Sequence, residues 1–165
     1  MGFPVDWEIE QLRLSEEFRA AEILEEDGYR TCIVGDVASV MYGSDVVVSD
    51  LYIAVADNEL QYALKTLLER GFLEEPQTKL RFMGSASKES NSGWPGYRLC
   101  RQPRRRDAVG ILLMPATLWN LDLGGRSFWS DTLLFPRSKC RFPRLEAYVN
   151  GTISHPDGDF RGQSS

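Results

Sequence analysis

Apolar and polar positions along the chain divide it into recognisable elements. Between residues 15 and 27, Phe18, Ala21, Ile23 and Leu24 are set among glutamates, which predicts an amphipathic helix with Ser15 as its N-cap and Gly28 as its stop. Tyr29-Arg30-Thr31-Cys32-Ile33-Val34 is a β-branched and aromatic run ending at Gly35, the pattern of a buried strand. Residues 36–42 are mostly apolar and close at Gly43, so the order reads strand, glycine turn, short helix. Residues 46–55 are rich in valine and isoleucine, broken at Ser49-Asp50, and predict the next strand. Asp57 then caps a predicted helix running to Arg70, with Leu60, Leu64, Leu67 and Leu68 on one face and Gly71 as the stop. Residues 79–83, 97–101 and 108–114 read as further strands, the last with the near-continuous apolar run of a central position. A polar loop is expected over 84–96. Pro115 and Pro143 suit the first turns of short helices through 119 and over 145–149.

Composition narrows the class without naming an activity. At 165 residues, 42% hydrophobic and 26% charged, the chain suits one globular domain: an N-terminal arm over 1–14, a domain over 15–152 and a tail over 153–165. The longest apolar stretch, 108–116, contains Gly110 and Pro115 and falls far short of the roughly 20 residues of a membrane helix. The first residues lack a basic segment followed by an apolar one, which leads to the expectation of a cytoplasmic protein. A net charge of −5 argues against a cationic sleeve for nucleic acid. The expected partner is a small apolar metabolite, with no nucleic acid and no membrane. Cys32, Cys100 and Cys140 are widely spaced and read as buried free thiols.

Three segments carry a resemblance. Ile33-Val34-Gly35-Asp36-Val37-Ala38, Tyr42-Gly43-Ser44 and Ser49-Asp50-Leu51-Tyr52-Ile53 resemble, in order and spacing, the minimal single-domain form of the nucleotidyltransferase superfamily. The stretches from Leu112 to Leu123 and from Phe142 to Ala147 are also similar to fungal proteins of unassigned function. The resemblance implies an α/β fold, a mixed β-sheet flanked by helices. It also implies a glycine turn leading into a short helix, then a strand with two acids one residue apart and a third acid on a neighbouring strand. Residues i and i+2 of a strand point to one face, so such a pair can hold divalent metal over a triphosphate.

The chain departs from that pattern where the chemistry resides. Asp50 holds the first acidic position, but Tyr52 holds the second, and a phenol of pKa about 10 stays neutral at pH 7. The third position falls at Gly110, which has no ligand to offer, and Asp36 follows Gly35 where a carboxylate repels phosphate. Asp45 adds negative charge nearby. The expectation is therefore no metal and no cofactor. Candidate catalytic residues are Asp50, Tyr52 and Asp36; candidate substrate-binding residues are Gly35, Ser44, Arg98, Tyr97 and Trp119.

Each has a plainer reading. Tyr52 fills a vacated site and bonds Asp50, Asp36 caps a helix, Arg98 belongs to an arginine-rich hairpin, and Trp94, Trp119 and Trp129 build core. His155, the only histidine, lies in the polar tail and supports no relay. The leading functional expectation is a metal-independent isomerase or cyclase, such as a pericyclic ring closure, in fungal specialised metabolism. Its rivals are a non-catalytic pseudoenzyme or protein-binding module, and residual nucleotidyl transfer using Asp50 with Asp107 or Asp122.

Overall fold

Side-chain alternation along Asp50–Val55 (β2) sorts the protein into two layers of core. Leu51, Ile53 and Val55 enter one apolar cluster, while Tyr52 and Ala54 enter another on the opposite face. The computed structural model describes residue 12 and residues 15–77, 94–101, 109–135 and 137–154, with side chains as far as residue 150. Its remaining strands are Thr31–Val34 (β1), Phe72–Glu75 (β3), Tyr97–Arg101 (β4) and Gly110–Pro115 (β5). They form a five-stranded sheet in the order β1-β2-β5-β4-β3, in which only the β2–β5 pair is parallel.

Helices cover the first face. Phe18–Glu26 (α1) buries Phe18, Ala20, Ala21, Ile23 and Leu24 there, and Leu60–Glu69 (α3) adds Ala63 and Leu67. Ser15 does accept the Phe18 amide at 3.3 Å, as its capping position predicts. Asp57, by contrast, does not cap α3. Residues Asp57–Glu59 form a 3-10 turn, and the Asp57 carboxylate accepts the amide and hydroxyl of Thr117 instead. Of the four aligned leucines, Leu67 is buried, Leu60 and Leu64 pack against the core, and Leu68 is left exposed, with Ala63 taking the inward position.

The short helix Asp36–Met41 (α2) follows β1 through Gly35, as expected. Strand β2 is shorter than the apolar run 46–55, because 44–49 cross to it without pairing. After β5 comes a 3-10 turn, Ala116–Trp119, then Phe128–Asp131 (α4), a hairpin of Thr132–Leu134 (β6) and Arg141–Pro143 (β7), and Leu145–Ser154 (α5). Phe135 and Phe142 of the hairpin region reach the helix-side core, where the Phe18 and Phe135 rings lie 5.0 Å apart. The expected strand over 79–83, the expected loop as far as residue 93 and the expected tail beyond 154 lie outside the described residues, and α5 takes in residues 153 and 154. All three cysteines are buried and free. Among the described residues, no helix is long and apolar enough to cross a membrane.

Candidate functional site

The turn between β1 and α2 and the first residues of β2 and β5 meet on the face of the sheet opposite α1 and α3. Gly35 takes φ +69°, a left-handed conformation that favours glycine. A Cβ added there would sit 2.6 Å from Cγ and Cδ1 of Tyr52, so the tyrosine ring lies directly on the glycine turn. Tyr52 is fully buried, and Trp119 meets it edge-on with ring centroids 5.8 Å apart. Between Val34, Gly35, Trp119, Leu121 and Pro143 a cavity of only about 10 Å³ remains. About 10–15 Å³ is needed to hold a single water molecule, so this side of the site has room for one water at most and is otherwise filled by side chains.

Asp50 opens β2 on the same face, and the parallel register sets it opposite Gly110. Arg98 completes the group. Period-two alternation places Arg98 and Cys100 on the site's face of β4, with Tyr97, Leu99 and Arg101 on the other. Tyr97 accordingly packs against the helix-side core, and Arg101 pairs with Glu16 at 3.6 Å. Arg98 Nη1 approaches Asp50 Oδ1 at 3.4 Å, and its Nε lies 3.6 Å from Oε1 of Glu75, its register partner on β3.

The other candidates occupy the margins. Asp36 is the first residue of α2 and not its cap; its Oδ2 accepts the Ser49 amide at 3.1 Å, which fixes the approach to β2. The Ser44 hydroxyl accepts the Val46 amide at 3.3 Å. Asp50, Tyr52, Gly35 and Arg98 are thus brought onto one face with Trp119, Asp36 stands beside the turn, and Tyr97 points away. Trp94 joins the same buried cluster as Tyr52, whereas Trp129 is exposed. Asp122 lines a surface cavity of about 190 Å³ with Asn120, Asp131 and Glu146, away from the residues around Asp50. Asp107 and His155 lie outside the described residues.

Glu75 was not visible as a site residue in sequence. It follows Glu74 four residues beyond the predicted helix stop at Gly71, with nothing in the local pattern to single it out; only its register opposite Arg98 gives it a place.

The arrangement of strands and helices is similar to the crystal structure of a protein described as a "putative nucleotidyltransferase" from Thermotoga maritima, with a TM-score of 0.57 over 94% of this chain and 89% of that chain. The fold is nucleotidyltransferase-like. Sequence identity is 11%, so the likeness establishes the fold alone. No family model matches the chain, and no curated protein matches it. This likeness supports the fold and does not bear on the expected similarity to fungal proteins.

The donor set does not fit the divalent metal that the nucleotidyltransferase-like fold implies. Magnesium requires octahedral oxygen coordination, usually with one or two carboxylates. Here Asp50 is engaged by a guanidinium, Gly110 supplies no donor, and Tyr52 is spent on covering Gly35. Among the described residues there is no group of three His, Cys, Asp or Glu side chains placed to hold a metal ion.

Proposed function

We propose that this chain is a pseudoenzyme: a nucleotidyltransferase-like fold that acts by binding a partner and transfers no nucleotide. One observation carries the reading. The Tyr52 ring covers Gly35, and a triphosphate needs that turn open so that backbone amides can reach its oxygens. The neutral phenol also removes the second carboxylate of the pair, so one substitution disables phosphate approach and metal binding together. Exposed Trp129, Leu134, Leu145 and Val149 on α4, β6 and α5 supply apolar surface of the kind that binding modules present.

The test is chemical. The purified protein is incubated with each of the four α-labelled nucleoside triphosphates and magnesium or manganese; label is sought in the protein, and released pyrophosphate, which does not carry the α label, is measured by a separate enzymatic assay. The reading expects all label to remain in the starting nucleotide; labelled protein or metal-dependent pyrophosphate release overturns it.

A second reading draws on exposure. The Arg98 and Asp50 side chains keep 14% and 18% of their surface accessible, so a small ligand can touch both. Metal-independent isomerisation or ring closure of an apolar metabolite would use Asp50 as the acid and Arg98 as the orienting donor. Ligand pockets of roughly 300–1,000 Å³ are usual, however, and the Gly35–Trp119 side offers about 10 Å³, which favours the binding-module reading. Turnover that survives unchanged in both Asp50→Asn and Arg98→Met variants removes these residues from the mechanism, and the absence of any turnover in the wild type excludes the catalytic reading.

A further inference from the structure

Three charged side chains from three strands converge over a residue that has no side chain. Arg98 starts on β4 and Asp50 on β2, with β5 running between them. The guanidinium crosses that strand at Gly110, where an added Cβ would lie 2.5 Å from Asp50 Oδ1 and 2.9 Å from Arg98 Nη2. Any larger residue at 110 closes the lane. On the far side Glu75 holds the same guanidinium through Nε. Asp50 and Glu75 each keep only 18% of their side chain exposed, so this cation offsets part of the cost of holding both carboxylates away from water.

We infer that the Arg98 guanidinium stands in for the divalent cation of the fold: a built-in counter-ion, admitted by Gly110, that commits Asp50 and Glu75 to the protein's own charge balance. The inference rests on the nucleotidyltransferase-like reading of Asp50 and extends it, because Glu75 and Arg98 lie outside that resemblance's acidic pattern. An arginine suits the place. Its planar, weakly hydrated fork can serve two carboxylates at once and stays charged at any physiological pH. It differs from a metal in one consequence: it cannot be chelated away or exchanged, so the site is permanently closed to metal-bound phosphate.

An ordinary ion pair that merely ties the strands together makes a different prediction, which allows a decisive test. Arg98→Met keeps the aliphatic stem and leaves the Asp50 carboxylate without its guanidinium partner, a hard oxygen donor that manganese can take. Manganese binding is measured by the loss of the free-ion electron paramagnetic resonance signal for the wild type, Arg98→Met and the double variant Arg98→Met/Asp50→Asn. The expected result is binding at least about tenfold tighter in Arg98→Met than in the wild type, returned to the wild-type level in the double variant. Equal binding by the wild type and Arg98→Met overturns the inference, as does tight binding that survives the loss of Asp50.

Should Arg98→Met fail to fold, Arg98→Gln provides the second arm. It removes the charge but keeps a hydrogen-bond donor beside Asp50, and is expected to raise manganese binding in the same direction; wild-type binding in Arg98→Gln overturns the inference equally. Nucleotide titration of the wild type is run alongside. Nucleotide binding there sinks the pseudoenzyme reading, whereas failure of the variants to gain manganese sinks only the stand-in cation.

Discussion

The ring of Tyr52 rests on the α-carbon of Gly35, close enough that no side chain fits between them. Two constraints therefore meet at one glycine, a positive φ and a missing Cβ. Gly35→Ala is expected to destabilise the protein by about 3 kcal/mol or more, the range of combined overpacking and backbone strain. Urea denaturation of Gly35→Ala, Tyr52→Ala and Gly35→Ala/Tyr52→Ala measures it. Partial recovery in the double variant assigns the effect to the ring; additive losses assign it elsewhere.

Asp57 gives a smaller prediction of the same kind. Its carboxylate accepts from both the amide and the hydroxyl of Thr117, tying the turn after β2 to the turn after β5. Thr117→Val removes the hydroxyl and keeps the shape, and is expected to cost about 1 kcal/mol. Loss of the same stability by Asp57→Asn, with no further loss in the double variant, identifies the bond as the cause.

The order of elements from α1 to α3, together with β4 and β5, was legible because each long apolar run has one stable placement. The second half of the Val46–Val55 stretch and the run after Asp107 both become interior strands, and period-two alternation along 97–101 separates Arg98 from Tyr97. What stayed hidden was set by pairing and not by pattern. Strand β3 has only Phe72 and Leu73 as apolar residues before two glutamates, and β6 and β7 are three residues each, so their sequences alone read as loop. The site was half visible for the same reason. Asp50, Tyr52 and Gly110 follow from one motif, but the Asp50–Arg98–Glu75 line exists only because β4 lies beside β5 and β3 beside β4.

The thiols carry a chemical prediction. Burial pushes Cys140 up to about 12 and Cys32 higher still, so thiolate is scarce at both below pH 9. Iodoacetamide at pH 8 is expected to leave Cys32 and Cys140 unmodified in the native protein and to label both after unfolding, as read by peptide mass spectrometry. Rapid native labelling of either contradicts the buried placement.

Glu25 sets a pH dependence. Burial raises its carboxyl above the ordinary value, only partly opposed by the Thr31 hydroxyl at 3.2 Å and the charges of Arg141 and Lys139. A carboxyl whose folded value lies above its unfolded value opposes folding when ionised. That penalty is full above the folded pKa and fades as pH falls through it toward the unfolded value. Glu25→Gln is therefore expected to raise the melting temperature by about 1–2 °C at pH 7 and to give no advantage once the pH falls below the ordinary carboxyl range. Melting curves from pH 3 to 8 decide it, and a gain that grows toward low pH contradicts the assignment.

The central claim is that the nucleotide site of this fold is filled from within by Tyr52 and Arg98. Thermal-shift titration of the wild-type protein with ATP, CTP, GTP and UTP, each with and without magnesium or manganese, tests it most directly, because a ligand that binds the native state raises its apparent stability. The account predicts an unchanged melting temperature for every combination up to millimolar concentration. A saturable, metal-dependent rise with any of the four would show that the site remains open and contradict it.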